Sequence, residues 1–406
     1  MTTNYPLTAD SIGEEEIEAA VAVLRSGRYT MSENVRWFER ELAVWTGMEE
    51  AVMVNSGSSA HLLLVDSLLR RLSPRVRTLK PGDEILVPAL SWPTTVWPLV
   101  QLGLTPVFVD IDPSTLALSL DSAESALSSS TRGMFLIHVL GLAAPMDRYT
   151  GFCEKHGLTL IEDGCESFGA FFAGRHVGGF GRGGTLSHFY SHHLTTMEGG
   201  TILTDDSELA DDLRSFRAHG WIRDRSDKER LVREHAAFDP RFLFVTTGYN
   251  VRPLEVQAAI GRIQLQRMDG LLAARDEVAR NVSSFVHKHV PWIKLIGAET
   301  LDTKPARRTE RRHSWMNLPF LLENGAPKSL EETKAFLEEA GVETRPIIAG
   351  NLARHPAAQG IISRAAGELK AADRVLRSGF MIGCNPSLPA DGFGHLEHAF
   401  QELGRV

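Results

Sequence analysis

Short apolar runs alternate with stretches of helical periodicity through the first two thirds of the chain. Residues 51–54, 83–87, 106–110, 133–139 and 158–161 read as strands, bounded by turn signals such as Pro81-Gly82 and Asn55-Ser56-Gly57-Ser58-Ser59. Amphipathic patterns lie around them. Residues 9–27 carry Glu14, Glu15 and Glu16 in a first helical turn, an apolar stripe at Ile17, Ala20, Val21 and Leu24, and a Gly27 stop, which predicts a helix. Further helices are expected over 33–47, from residue 60 onward, over 205–220 and over 254–272, the last suited to connect two domains. Strands at 185–190 and 201–204 flank a Glu198-Gly199-Gly200 turn.

Short apolar strands separated by helices predict an α/β fold, a mostly parallel sheet covered by helices. Loops at the carboxyl ends of such strands are where ligands bind. From about residue 275 the pattern changes to alternating helices and short strands, as in a smaller α+β unit. The expected division is a large domain over 1–270, including the N-terminal helical segment, and a small C-terminal domain over 271–406.

Composition narrows the class. The 406 residues suffice for two domains, and 43% apolar with 23% charged residues is the balance of a globular protein. A formal charge of -8 disfavours broad nucleic-acid binding, so an anionic substrate needs a local basic pocket. The N-terminus has neither a basic nor an apolar run, and no apolar stretch is long enough for a bilayer, so a cytoplasmic protein without membrane contact is expected. Cys153, Cys165 and Cys384 form no CxxC pair and read as buried thiols. Three cysteines are too few for an all-cysteine iron–sulfur site. Two charged segments, 222–241 and 304–312, read as exposed loops, the first solvated and mobile.

Several turns carry candidate chemistry. Asn55-Ser56-Gly57-Ser58-Ser59, between a strand and a helix, offers backbone N–H groups and small hydroxyls to an anion. Glu162 and Asp163 end a strand, and Trp92 follows another. Arg252 and Arg345 are candidates for anionic substrate groups, since guanidinium matches carboxylate and phosphate geometry. The segment from Ser187 to Gly200 holds three histidines, but His192 and His193 are adjacent and point apart in extended backbone, without a matching cysteine or carboxylate set. No metal is expected there.

The segment Ser187-His188-Phe189-Tyr190-Ser191-His192, followed by Glu198-Gly199-Gly200, closely resembles the active-site stretch of the DegT/DnrJ/StrS superfamily of PLP-dependent sugar aminotransferases. His192 stands where that family carries lysine, and no lysine occurs between Lys155 and Lys228. The exchange, with Glu166 where the aminotransferases usually have Gln, resembles the histidine-containing sugar 3-dehydratase subgroup. The resemblance covers roughly residues 5–400 and implies the fold of the aspartate aminotransferases (fold type I).

The same resemblance assigns roles. Gly57, Ser58 and Ser187 hold the phosphate of pyridoxal 5′-phosphate (PLP) or its amine form (PMP); Trp92 stacks on the ring; Asp163 meets the pyridine nitrogen; Glu166 lies near the phenolic oxygen. Gly248-Tyr249-Asn250 is similar to a loop whose Asn reaches the neighbour's phosphate, implying a homodimer with shared sites. Arg217-Ala218-His219-Gly220-Trp221 is also similar to the subgroup, leaving His219 a candidate for the substrate site or for a structural role. Imidazole cannot bond covalently to PLP as lysine does, so the cofactor is expected to be held non-covalently, with His192 moving protons. The implied reaction is the glutamate-dependent 3-dehydration of a nucleotide-linked 4-keto-6-deoxyhexose, GDP-4-keto-6-deoxymannose being favoured, without a metal, iron–sulfur cluster or reductase. The alternatives are a nucleotide-sugar 4-aminotransferase and a cofactor-binding regulator or inactive scaffold on the same fold.

Overall fold

In the computed structural model, residues 4–9, 11–70, 72, 79–301, 311–388 and 390–405 are described. Thirteen strands occur among them: β1 (Glu50–Val54), β2 (Glu84–Pro88), β3 (Thr105–Val109), β4 (Thr131–Ile137), β5 (Thr159–Asp163), β6 (Phe171–Phe172), β7 (Arg175–His176), β8 (Gly184–Ser187), β9 (Gly200–Thr204), β10 (Ile293–Leu295), β11 (Asn317–Leu322), β12 (Arg364–Ala365) and β13 (Gly379–Gly383). Eight of them form one sheet in the order β1-β9-β8-β5-β4-β2-β3-β12. Pairing is parallel from β8 to β12, and β9 runs antiparallel to both its neighbours. The strands are buried almost throughout, which explains why they read as continuous apolar runs rather than alternating ones.

Helices α1 (Glu14–Ser26), α2 (Glu33–Thr46), α3 (Gly57–Leu69), α4 (Pro93–Gln101), α5 (Leu120–Ala126), α6 (Met146–His156) and α7 (Ser207–Phe216) connect or cover this sheet. After α8 (Lys228–Glu234), α9 (Glu255–Gln266) packs against α1 and α2. Then α10 (Met268–His289), α11 (Leu330–Glu339), α12 (Pro356–Gln359), α13 (Lys370–Ser378) and α14 (Ala390–Leu403) accompany an antiparallel sheet in the order β10-β11-β13. We propose that the large and small units divide near residue 270, at the junction of α9 and α10; β12 then crosses back to join the edge of the large sheet. No helix is long and apolar enough to cross a membrane among the described residues.

Four details differ from the sequence reading. The α1 stripe is turned outward: Ile17 is 48% and Leu24 59% exposed, whereas Glu16 and Val23 are buried. Glu16 caps the Gly13 N–H at 2.9 Å, accepts from Gln264 Nε2 at 2.8 Å and pairs with Arg267, so a satisfied carboxylate takes the inner position. The 222–241 segment is not a free loop. Arg225 is buried against Asp212 (2.9 Å) and Asp227 (2.7 Å), and Leu231 on α8 packs with Ile222 and Leu243. The expected helix over 254–272 is two helices, broken at Arg267. Of the basic run, 304–310 lie outside the described residues; Arg311 donates to the Ala143 carbonyl and Arg312 pairs with Asp276.

Candidate active site

The carboxyl ends of β1, β2, β4, β5 and β8 and the start of β9 meet at one edge of the large sheet. Turns leaving that edge carry most of the residues singled out from sequence.

At the end of β1 the chain enters α3 directly. Ser56 is the N-cap, its Oγ accepting from the Ser59 N–H at 3.1 Å, so Gly57 and Ser58 belong to the first turn of a 13-residue helix rather than to a preceding loop. The free N–H groups of that turn make an anion site. Gly57 is required for close approach: a Cβ there would lie 2.7 Å from Ser187 Cβ and 3.1 Å from Cys165 Sγ. The helix start, Ser187 at the end of β8 and the turn after β5 are thereby drawn together.

Asp163 ends β5 and is buried. Thr95 Oγ1 donates to its Oδ2 at 2.6 Å, the Cys165 N–H donates to Oδ1 at 3.0 Å, and His61 Nε2 lies 3.2 Å from Oδ2. Burial pushes the carboxyl up, but His61 and these hydrogen bonds outweigh it and hold Asp163 well below the usual carboxylate range. Thr95 sits one turn into α4, which begins after Trp92; the indole is 52% exposed, a broad apolar face open to a ligand. His61, Asp163 and Cys165 could geometrically hold a metal ion, their ligand atoms lying within 4.8 Å of one another. Burial pushes the Cys165 thiol well up, so it keeps its proton, and His61 already faces the carboxylate.

Glu162, the neighbour of Asp163, faces the other way. Its carboxylate takes the N–H groups of Gly178, Phe180 and Gly181 at 2.8, 2.6 and 2.7 Å and lies 3.0 Å from His138 Nε2. Because the Ala144 N–H donates to His138 Nδ1 at 3.2 Å, Nε2 is the donor to Glu162. Glu162 is thus structural, fixing the end of β5. Glu166 is half-buried and accepts from the Leu140 N–H at 2.9 Å. Burial and then the nearby Asp163 push it up to about 7, against the lowering effect of that N–H.

The strand expected over 185–190 stops at Ser187, and the loop to β9 is pinned: the His188 N–H donates to Gly199 O, the Thr196 N–H to His188 O, and Gln257 Nε2 to Glu198 O. Its three histidines diverge. His188 Nε2 bonds Thr201 Oγ1 at 2.8 Å, and His193 Nε2 donates to the Ser314 carbonyl at 2.9 Å. Of the three, only His192 is half-buried; a buried Nδ1 without a hydrogen-bond partner is common to all three. Burial lowers it to about 4, a nearby Asp163 opposing and Arg275 assisting. His192, Ser191 and Arg275 line a small cavity of about 30 Å³.

Other candidates are not bonded to Asp163, Glu166 or His192 among the described residues of one chain, although the Val251 carbonyl beside Asn250 accepts from the Asn55 N–H at 3.1 Å, next to the first turn of α3. Asn250 accepts from Arg252 Nε at 2.9 Å, and its backbone bridges Ala218, beside the exposed His219, which has φ +65°. No hydrogen bond or ion pair among the described residues joins Asn250, Arg252 or His219 to Asp163, Glu166 or His192. Arg345 pairs with Glu343 at 2.6 Å. Arg217, from the same motif as His219, is a buried structural cation bonded to Glu39 and Met53 O, each at 2.6 Å. Sequence reading missed His61, Thr95 and Arg275. The first two were signalled by spacing: His61 lies four residues beyond Gly57, and Thr95 three beyond Trp92, each on the same helix face.

The model of the DegT/DnrJ/EryC1/StrS aminotransferase family matches residues 10–400. The chain belongs to this family. Among curated members, the GDP-4-keto-6-deoxy-D-mannose 3-dehydratase of Yersinia pseudotuberculosis is 36% identical over 383 residues, 94% of each chain. The enzyme of that name from Escherichia coli O55:H7 is 38% identical over 356 residues, 87% of each. Among solved members, GDP-4-keto-6-deoxymannose-3-dehydratase with a trapped PLP-glutamate geminal diamine superposes with a TM-score of 0.88 at 34% identity, covering 98% of this chain and all of the other (100%).

Proposed function

We propose that this chain is a PLP/PMP- and glutamate-dependent 3-dehydratase of a nucleotide-linked 4-keto-6-deoxyhexose, with GDP-4-keto-6-deoxymannose as substrate. The products are the 4-keto-3,6-dideoxy sugar, ammonia and 2-oxoglutarate. A cytoplasmic location fits such a nucleotide sugar. The observation that carries the reading is His192: a half-buried imidazole in the loop between β8 and β9, within a stretch that has no lysine between Lys155 and Lys228.

The residues fit PLP on their own chemistry. The first turn of α3 with Gly57, Ser58 and Ser187 suits a phosphate, and Trp92 presents an open face to a flat ring. Asp163, held ionised in a buried place, suits a cationic ring N–H. When bound, PLP supplies an electron sink for carbanion chemistry. Around it, Asp163 keeps a proton on the pyridine nitrogen. Glu166, poised near neutrality, shares one at the phenolic oxygen. His192, neutral at pH 7, accepts a proton, and as its conjugate acid returns it to the hydroxyl leaving carbon 3. A non-covalent hold leaves the imidazole free for both transfers.

The sites are shared in a homodimer. Asn250 is exposed and makes no hydrogen bond to Asp163, Glu166 or His192 of its own chain, and Tyr29, Phe242, Phe244 and Leu254 expose large apolar surfaces, as an unpaired interface does. Asn250 then completes the partner's phosphate site, while Arg252, His219 and Arg345 are available to the anionic substrate. His192→Lys tests the reading: the variant gains a borohydride-reducible bond to PLP, seen by mass spectrometry of the protein, while 3-dehydration falls by at least roughly a hundredfold, the usual contribution of general acid–base catalysis. Undiminished dehydration in that variant refutes the role of His192.

A further inference from the structure

Helix α3 does two things at this site. Its first turn carries Gly57 and Ser58, and one turn later, on the same face, His61 reaches Asp163. His61 is 1% exposed, and its Nδ1 is buried without a partner. The nitrogen that finds partners is Nε2, facing Asp163 Oδ2 at 3.2 Å and Cys165 Sγ at 3.6 Å; the ring meets Phe135 edge-on. Thr95 Oγ1 and the Cys165 N–H, the other donors to Asp163, are neutral. Among the described residues, His61 is the only side chain able to carry positive charge that pairs with Asp163. A buried carboxylate without such a partner takes up a proton and becomes neutral. A neutral Asp163 no longer favours a protonated pyridine nitrogen.

We infer that His61 is a positioning residue, whose Nε2–H keeps Asp163 ionised and so sets the protonation of the cofactor nitrogen. The inference rests on the PLP reading above. One α3 therefore fixes both ends of the cofactor, its phosphate and its pyridine nitrogen.

The test uses full-length protein reconstituted with PLP labelled with ¹⁵N in the ring. The ¹⁵N chemical shift reports whether the pyridine nitrogen carries a proton, and an absorbance titration gives the PLP affinity; neither needs turnover. His61→Gln can place an amide N–H near Nε2 but carries no charge, and the nitrogen loses its proton. His61→Asn falls short of Oδ2: the nitrogen loses its proton and PLP binds more weakly, on the order of tenfold. Thr95→Val removes a neutral donor from the same oxygen and leaves the shift unchanged. A nitrogen that stays protonated in either variant overturns the inference. If His61→Asn does not fold, His61→Gln decides alone. Wild-type protein that takes up no PLP refutes the functional reading instead.

Discussion

The backbone N–H of Leu140 donates to Oε2 of Glu166 across 2.9 Å, from a residue held at φ +50° in the turn after β4. One hydrogen bond from a neutral N–H does not offset burial and the neighbouring Asp163, so Glu166 rises from 4.5 to about 7. The folded chain therefore binds more protons than the unfolded chain between those values. Stability is greatest below about pH 4.5 and is lost as pH rises toward about 7, by up to the order of 3 kcal/mol at this site. Glu166→Gln removes that slope. Urea unfolding of wild type and variant without added PLP, across this range, is expected to show the variant gaining on wild type as pH rises.

Gly57→Ala is expected to weaken PLP binding by about tenfold or more. The new Cβ would meet Ser187 Cβ at 2.7 Å, and overpacking of this kind costs ~1–3 kcal/mol. Relief comes only by moving the first turn of α3 away from Ser187, which opens the phosphate site. Gly151→Ala on α6, with nothing within 4 Å of its Cβ, is the control and leaves PLP affinity unchanged. An absorbance titration with PLP separates the two.

Much of this was legible in the sequence because burial on both faces writes strands as apolar runs, and because His192, Asp163 and Glu166 sit at strand ends or in the turns after them. Less legible was what depends on contacts between distant segments. Glu16 takes an inner position on α1 only because Gln264 and Arg267 wait for it. Arg225 is buried only because Asp212 and Asp227 converge on it, so a stretch that reads as a solvated loop is anchored. His61 reads as a polar residue in a largely apolar helix until β5 brings Asp163 to it. Arg217 and His219 share one motif, yet one is a buried structural cation and the other is exposed; spacing alone does not divide them.

Shared sites predict complementation. Asn250→Ala and His192→Asn are each expected to be nearly inactive. Subunits mixed and reassembled in equal amounts form hybrids with one intact site, and about a quarter of wild-type activity returns. Activity that stays at the level of the separate variants indicates that Asn250 serves its own chain or none.

The most direct test is the stoichiometry of a single reaction: the protein with PLP, L-glutamate and GDP-4-keto-6-deoxymannose, and no reductase, followed by mass spectrometry of the nucleotide sugar and an ammonia assay. The expected result is a sugar lighter by one oxygen, with one ammonia and one 2-oxoglutarate formed for each. An amino sugar without ammonia release, or turnover only after an electron donor is added, contradicts the account.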